Sequence, residues 1–314
     1  MQGGRPGWRR ALRHVAFNPA VNHAARAVTR AMSGVAPGLA RDLDAHLPYA
    51  GRWPVALPDG ESFLVIADQS SHSSTSELCR EGFNSVEPDV APVFLALARR
   101  AGKVIDVGAN IGAFAMAAAT VAPQAEVIAF EPFPAVFERL VANCMLNDLQ
   151  NVICVHAAAG RAAGSQKLIA PAGLPTTASA EPGHRLRHRW AREPGPYTFQ
   201  IVPVVDVDSF ADDVGLSGVD LVKIDAEQAE VDIIAGMQRT IRAHRPHIIC
   251  EIFPKGWTGH DAGAAIEEIL GPLGYSYYLL SGGKPSVSVR IEGDKEHFNY
   301  LFSTLRPTAL AALL

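Results

Sequence analysis

A glycine turn near the middle of the chain stands next to an acidic residue. The apolar run Val104–Val107 is followed by Gly108 and, four residues later, by Gly112, and Asp106 lies two residues before the first glycine. A strand that ends in such a turn and leads into a helix directs backbone amides and the positive helix end at the carboxyl edge of a sheet, where doubly wound folds bind ligands. We expect Asp106, Gly108, Asn110 and Gly112 to contact a ligand; the alternative is an ordinary strand-to-helix turn.

The spacing of the glycines indicates which cofactor suits this turn. A dinucleotide fingerprint has a first glycine followed by glycines two and five residues later. Counted from Gly108, this chain has Asn110 and Ala113 at those two positions. The carboxylate of Asp106 would repel a pyrophosphate but attract a cofactor that carries positive charge. S-adenosylmethionine, with a sulfonium and an ammonium group, is such a cofactor, and we expect it here.

Further cofactor contacts are expected after the next two strands. Glu131 comes nineteen residues after Gly112, at the end of the second apolar run, and Pro132 follows it. A carboxylate at that place accepts hydrogen bonds from both ribose hydroxyls of an adenosine, although a surface acid is the alternative. His156 and Ala157 follow the third strand, and we expect them beside the adenine.

A second group of polar residues follows the fourth apolar strand. Transfer of a methyl group to an alcohol needs alignment and a base, and we expect Asp225 or Glu227 to be that base, with Asp225 also near the cofactor. Lys223 shares a strand face with Asp225, which favours an ion pair. Glu251 ends a neighbouring strand and completes the group. A purely structural network with Glu230 is the alternative; these oxygens also suit magnesium, but the spacing requires no metal and we expect none.

The elements that must position these residues form a regular alternation from residue 87 onward. Continuous apolar strands separated by helices predict a parallel sheet covered on both faces, in an α/β fold. The predicted strands are Val104–Val107, Glu126–Phe130, Val152–Val155, Val219–Ile224 and His247–Ile252, and the predicted helices are Asp89–Arg100, Ile111–Val121, Pro134–Leu146, Glu230–Ala243 and Asp261–Leu270. Tyr275–Leu280 and Phe298–Leu305 predict an antiparallel pair at the sheet edge.

Together these motifs resemble the class I S-adenosylmethionine-dependent methyltransferases, and within them the FkbM-type family. The resemblance spans about residues 83 to 254. It is carried by Asp106–Gly112, Ala129–Pro132, Asn143 with Asn147, Lys223–Glu230 followed by Gly236 and Met237, and Cys250-Glu251-Ile252. It implies a Rossmann-like fold with a mainly parallel seven-stranded sheet and an antiparallel edge strand. It also implies O-methylation of a hydroxyl, often on a sugar, glycolipid or polyketide.

One position departs from the family pattern. Where the family usually has glycine, this chain has Gln228, so a side chain projects where a substrate or backbone would pass closely. The acceptor specificity of the family therefore does not transfer simply. We expect Gln228 and Glu251 to contact the acceptor.

Two further regions lie outside the predicted sheet. We divide the chain into an extension, residues 1–86, and a methyltransferase domain, residues 87–314. The sequence of the extension predicts helices that are broken near Pro19 and Pro37, a β-hairpin with strands 55–57 and 62–66, and a loop over residues 67–86. We expect its helices to pack on the main domain or on a second subunit, which would make the protein a homo-oligomer. Helices that lie on a membrane surface are the alternative.

An insertion over residues 171–196 is too long for an ordinary connection. It contains Arg185, Arg187 and Arg189, and we interpret it as a lid or acceptor-recognition loop; a solvated insertion is the alternative. Guanidinium groups match anions, so the first interpretation predicts an acidic or phosphorylated acceptor.

Composition narrows the partners and the compartment. With a formal net charge of −4, the protein has no overall positive potential that would attract a polyanion, which argues against a nucleic-acid partner. There is no apolar run long enough to span a bilayer and no signal-peptide pattern. The four cysteines lack CxxC spacing, which predicts free thiols and a cytoplasmic protein. Three other functions stay open: a non-catalytic module with this fold, a nucleic-acid N-methyltransferase, and a nicotinamide oxidoreductase.

Overall fold

The chain forms two compact units, Met1–Val86 and Glu87–Leu314. The structure is a computed structural model and describes residues 17–68, 73–171, 179–180, 197–255, 261–293 and 298–314. Within these ranges no helix is both long enough and apolar enough to cross a membrane.

The first unit combines helices with a β-hairpin. Its elements are α1 (Pro19–Met32), α2 (Pro37–His46), β1 (Gly51–Ala56), β2 (Ser62–Ala67) and α3 (Ser73–Glu81). Each of the first two helices begins at its proline, which tolerates the first turn because its missing N–H would have no partner there. The loop predicted over 67–86 is wrong in part, because α3 lies within it. Its Leu78 is buried, and this packing outweighs the polar Ser/Thr composition.

The second unit contains the predicted alternation of strands and helices. Its strands are β3 (Lys103–Val107), β4 (Glu126–Phe130), β5 (Val152–Val155), β6 (Ala158–Ala159), β7 (Gly164–Pro171), β8 (Ser179–Ala180), β9 (Tyr197–Val205), β10 (Leu221–Ile224), β11 (His247–Glu251), β12 (Ser276–Ser281), β13 (Lys284–Ser288) and β14 (Asn299–Ser303). Its helices are α4 (Ala91–Ala98), α5 (Ala113–Val121), α6 (Pro134–Leu146), α7 (Val207–Val214), α8 (Glu230–Ala235), α9 (Gln238–His244), α10 (Ala262–Leu270) and α11 (Pro307–Leu313).

The main sheet has the strand order β13-β12-β14-β11-β10-β3-β4-β5. Strands β5, β4, β3, β10 and β11 are parallel to one another. Beyond β11, β14 pairs antiparallel with β11, β12 with β14, and β13 with β12. All four residues of β10 are buried, so both faces of the sheet are covered there. This arrangement confirms the α/β fold class.

The sheet differs from the expected one by a strand. We expected seven strands, but the described residues form eight, because Lys284–Ser288 pairs with β12 as an outer edge. The expected antiparallel pair is present as β12 and β14. The predicted helix Glu230–Ala243 is two helices. A Cβ on Gly236 would lie 2.0 Å from the carbonyl oxygen of Gly160, so the chain bends where these backbones touch.

A smaller sheet flanks the insertion. Its order is β6-β9-β7-β8, and β7 and β9 pair antiparallel from Gly164 opposite Val204 to Pro171 opposite Tyr197. The insertion therefore begins and ends on a hairpin. Most of residues 171–196, including Arg185, Arg187 and Arg189, lies outside the described residues.

Candidate active site

The turn after β3 is fixed by a close backbone crossing. Gly108 has a φ of 79°, and a Cβ added to it would lie 1.8 Å from the carbonyl oxygen of Asp225. Its amide donates to the carbonyl of Phe130 at 3.0 Å. Because only glycine fits this approach, Gly108 holds the carboxyl ends of β3, β4 and β10 together.

Residues of α6 contact the rest of the turn. Gly112 caps α5 with a φ of 93°, and a Cβ there would lie 2.6 Å from Leu140. Asn143 donates to the carbonyl of Ile111 at 2.8 Å. Asn110 also has a positive φ, 54°, a conformation that asparagine tolerates. The two glycines are therefore required by the shape of this turn.

Asp106 is a buried acid whose carboxylate oxygens accept no hydrogen bond of normal geometry from the described residues. Its side chain is 1% exposed. Burial raises the pKa of Asp106 to about 6; Lys223 and the amide of Ala115 oppose this rise, and Asp225 adds to it. Such a group is costly to bury unless a partner arrives. The site thus fits the ammonium group of the expected cofactor.

Glu131 lies at the end of the neighbouring strand and is buried. Its two carboxylate oxygens accept hydrogen bonds from the amides of Asn110 at 3.0 Å and Phe133 at 2.8 Å. Burial raises the pKa of Glu131 to about 7, although these two amides lower it. Each oxygen keeps a lone pair, because a carboxylate accepts about four hydrogen bonds. Glu131 can therefore accept ribose hydroxyls while it holds the turn.

The expected adenine contacts lie after β4 and β5. Pro132 is partly buried, Ala157 is buried, and His156 is exposed. The ring of His156 stacks on Phe137 of α6, with ring centroids 4.5 Å apart. Pro132 follows β4, which is next to β3, and His156 and Ala157 follow β5, one strand further out. All three therefore lie at the same sheet edge as Asp106.

Lys223 is the buried cation of the site, and its side chain is 4% exposed. Its ammonium lies 3.1 Å from Asp225, 3.3 Å from Glu87 and 4.2 Å from the ring centroid of Phe114. Burial alone would lower its pKa, but Asp225, Glu87 and Asp106 outweigh burial and raise it. The predicted ion pair between Lys223 and Asp225 is therefore present.

Five acids interact electrostatically at this edge of the sheet, and we name them the carboxylate cluster: Glu87, Asp225, Glu227, Glu230 and Glu251. Burial raises the pKa of Glu251 well above its usual range, and the charges of the other four raise it further. Burial also raises the pKa of Glu87 to about 7, against the attraction of Lys223. Like charges so close favour retention of protons by some members. The cluster can both hold and accept protons.

The loop between β10 and α8 has an unusual backbone. Glu227 and Gln228 have φ values of 48° and 81°, where non-glycine residues are rare. Glu230 holds this loop, since its carboxylate accepts from the amides of Gln228 at 3.0 Å and Ala226 at 3.4 Å. The left-handed backbone explains the usual family glycine at Gln228. The side-chain oxygen of Gln228 is buried and meets no partner among the described residues.

The structure brings most of the predicted residues to one edge and adds one. Glu87 was missed, because it precedes a helix in the chain and only the fold brings it to Lys223. The substrate residues Arg185, Arg187 and Arg189 lie outside the described residues, so they remain a prediction. Within the described ranges, no three His, Cys, Asp or Glu side chains are arranged to hold a metal ion.

Comparison with known proteins identifies the larger unit. Residues 106–277, more than half of the chain, match the methyltransferase FkbM domain. The chain is 28% identical over 192 residues to methyltransferase sdnD of Sordaria araneosa, covering 55% of this chain and 73% of that protein. It is 29% identical over 186 residues to methyltransferase 1 of Beauveria bassiana, covering 56% and 73%.

Among solved structures, the chain is similar to a methyltransferase FkbM from Methylobacillus flagellatus KT. The identity is 16% and the TM-score 0.40, over 64% of this chain and 43% of that one. The chain thus spans less than half the length of that structure. The domain match confirms the resemblance seen in the sequence and S-adenosylmethionine as the cofactor of the domain. The chain belongs to the FkbM family of methyltransferases.

Proposed function

We propose that this protein transfers the methyl group of S-adenosylmethionine to a hydroxyl of a small molecule such as a sugar, glycolipid or polyketide. One observation carries the proposal: Asp106, a buried carboxylate without a hydrogen-bond partner of normal geometry among the described residues, and Asp225, a partly exposed carboxylate, lie at the ends of neighbouring strands. Asp106 suits the positive charge of the cofactor, and Asp225 suits removal of a proton from an alcohol.

The cofactor is held by residues at the carboxyl edge of the sheet. Asp106 binds its ammonium and Glu131 its ribose hydroxyls, while Gly108 and Gly112 shape the turn. Asn110 offers a buried side-chain oxygen without a partner among the described residues. Pro132, His156 and Ala157 border the adenine, and Asp225 completes the pocket. When bound, the cofactor supplies a methyl group that its sulfonium activates.

The carboxylate cluster divides the remaining tasks. Asp225, whose carboxylate lies 3.1 Å from the ammonium of Lys223, takes the hydroxyl proton of the acceptor, and Glu227 is the second candidate base. Glu251, whose pKa is well above its usual range, keeps its proton and donates a hydrogen bond to the acceptor. Glu230 acts as a positioning residue through the loop, and Gln228 borders the acceptor.

The first experiment identifies the acceptor. The purified protein is incubated with labelled S-adenosylmethionine and a small-molecule extract of the source cell, and the labelled product is identified by mass spectrometry. An O-methyl ether supports the proposal, whereas a methyl ester would show that a carboxylate, not a hydroxyl, accepts the methyl group. Label on nitrogen or carbon contradicts O-methylation, and tight cofactor binding without labelled product favours the non-catalytic module.

The second experiment tests the base on that product, with cofactor saturated and in a single turnover. Asp225→Asn should slow methyl transfer about 10²- to 10⁴-fold, the usual contribution of a general base. Glu227→Gln tests the second candidate, and Glu138→Gln, an exposed acid of α6, is the matched control. If both cluster variants keep most of the rate, the base assignment is wrong.

We further propose that the acceptor is acidic or phosphorylated. The support is the sequence of the insertion, where three arginines stand within five residues. Replacing Arg185, Arg187 and Arg189 together by Ser should raise the KM of the acceptor and leave cofactor affinity unchanged. An unchanged KM identifies a solvated insertion.

We place the reaction in a reducing compartment such as the cytoplasm. All four cysteines are free, and the thiol of Cys154 donates a hydrogen bond to the sulfur of Cys144 at 3.9 Å, so the two form no disulfide. Free thiols are typical of such compartments.

A further inference from the structure

A cavity of about 570 Å³ lies within the first unit, and the methyltransferase chemistry makes no use of it. We call it the arginine pocket. Its walls come from α1, α2, the start of the hairpin and α3, and they include Arg26, Arg30, Arg41, Asp44, Tyr49 and Arg80. The volume lies within the range of about 300–1,000 Å³ that is typical of small-molecule sites.

The pocket carries a surplus of positive charge. Among the described residues that line it, four are arginines and one, Asp44, is a carboxylate. Asp44 pairs with Arg26 and lies 3.4 Å from Arg80. Arg30 and Arg41 are exposed and form no ion pair with any described residue. Two guanidinium groups are therefore left to bind a ligand of opposite charge.

One of the four arginines, Arg26, is buried and held by several contacts. Arg26 is 3% exposed; it donates to Asp44 and to the backbone carbonyls of Leu47 and Pro48, and its guanidinium lies 3.3 Å from the ring centroid of Tyr49. A fixed arginine loses little entropy when a ligand binds. Cys79 adds no negative charge, because burial raises its pKa to about 12.

Aromatic rings form another part of the wall. Trp53 lines the pocket and stacks on His23, with ring centroids 4.0 Å apart. Tyr49 meets Trp53 edge to face at 5.0 Å. Flat rings beside guanidinium groups suit a ligand with an organic part as well as an anionic group.

We propose that the arginine pocket binds a small organic phosphate. The two unpaired guanidinium groups match the two charges of a phosphate monoester, and arginine binds phosphate oxygens in a bidentate way. The volume leaves room for the organic part against the rings.

The test is calorimetric titration of the full-length protein with phenyl phosphate, with phenol and inorganic phosphate as separate probes. We expect one phenyl phosphate per chain, no binding of phenol and weaker binding of inorganic phosphate. Arg30→Gln with Arg41→Gln should weaken phenyl phosphate binding by about tenfold or more, since charge-assisted hydrogen bonds are lost. Both arginines are exposed, so the variant should fold, which circular dichroism checks.

The matched control removes two positive charges elsewhere. Arg52→Gln with Arg100→Gln changes exposed residues that do not line the pocket, and it should leave affinity unchanged. Saturating S-adenosylhomocysteine should also leave it unchanged. The proposal is overturned if the unmodified protein binds no phenyl phosphate, if both double variants lose affinity equally, or if S-adenosylhomocysteine displaces the probe.

Discussion

At the scale of single residues, the site is dominated by acids held away from water. Asp106 has no hydrogen-bond donor of normal geometry among the described residues, and Glu131 has backbone amides alone. An isolated buried carboxylate is unfavourable, and it retains its proton to a higher pH. A cation at Asp106 reverses this effect. Cofactor binding should therefore be coupled to the loss of protons.

This coupling predicts the pH dependence of cofactor affinity. The pKa values of Asp106 and Glu131 are raised to about 6 and about 7, and the ligand prefers both groups charged. Affinity for S-adenosylhomocysteine should rise from about pH 5.5 to about pH 8 and then level off, by up to about tenfold per pH unit for each group. Calorimetry at several pH values measures this rise.

The control for that measurement is Asp106→Asn. This variant should bind S-adenosylhomocysteine more weakly. Its affinity should rise with pH only as Glu131 loses its proton near pH 7, and it should change little below pH 6. Lys223 and Asp225 face Asp106 and remain in place. An affinity that is constant across this pH range, or that falls as the pH rises, contradicts the assigned roles.

Glu131 gives a second residue-scale prediction. Glu131→Ala removes a charged acceptor and should lower the affinity for S-adenosylhomocysteine about ten- to a hundredfold, because a hydrogen bond to a charged group is worth about 1.5–3 kcal/mol. The change also leaves the amides of Asn110 and Phe133 unpaired, so unfolding must be measured in parallel. Glu138→Ala is the control on an exposed face. An unchanged dissociation constant would remove Glu131 from the site.

At the scale of elements, the loop between β10 and α8 sets the geometry of the cluster. Gln228 has a φ of 81°, and a left-handed non-glycine residue costs about 1–2 kcal/mol, whereas glycine loses about 0.5–1 kcal/mol more in backbone entropy. Gln228→Gly should therefore raise the free energy of unfolding by about 0.5–1 kcal/mol, measured by urea denaturation. Asp148→Gly, at a φ of 52° on the surface, should change it less, because aspartate tolerates this region. A loss of stability in Gln228→Gly would show that its side chain supports the loop.

The elements also show what the sequence can predict. The central strands and α6 match the prediction closely, because continuous apolar runs and a proline at the helix start are strong local signals. β13 was missed because its residues Lys284-Pro285-Ser286-Val287-Ser288 form a mainly polar edge. The break at Gly236 was missed because its cause, contact with Gly160, is distant in the chain.

The same distinction applies to the site. Gly108 and Gly112 could be predicted from spacing, but the carbonyl of Asp225 that requires glycine at position 108 comes from another strand. The ion pair between Lys223 and Asp225 follows from the period of two along a strand. Glu87 has no such local pattern. Contacts within one strand or turn are readable from the sequence, whereas contacts between distant segments require the fold.

At the scale of the whole molecule, the buried acids link function to stability. The pKa values of Glu87, Asp106, Glu131, Glu230 and Glu251 are all raised, chiefly by burial. His247 is the opposing group in this range, since burial lowers its pKa. Between the unfolded and folded pKa values of the acids, the folded protein binds more protons than the unfolded chain. Its stability therefore falls as the pH rises through this window.

We expect the ligand-free protein to be less stable at about pH 8 than at about pH 5.5, by on the order of 3 kcal/mol. Urea denaturation at the two pH values measures the difference. Glu230→Gln should reduce it, because the amide oxygen still accepts the hydrogen bonds of the loop while the titrating group is gone. Saturating S-adenosylhomocysteine should also reduce it, since the ammonium group stabilises charged Asp106. A free energy of unfolding that rises with pH would mean that these acids are paired in solution, and Asp106 would then lack the unpaired charge on which cofactor binding depends.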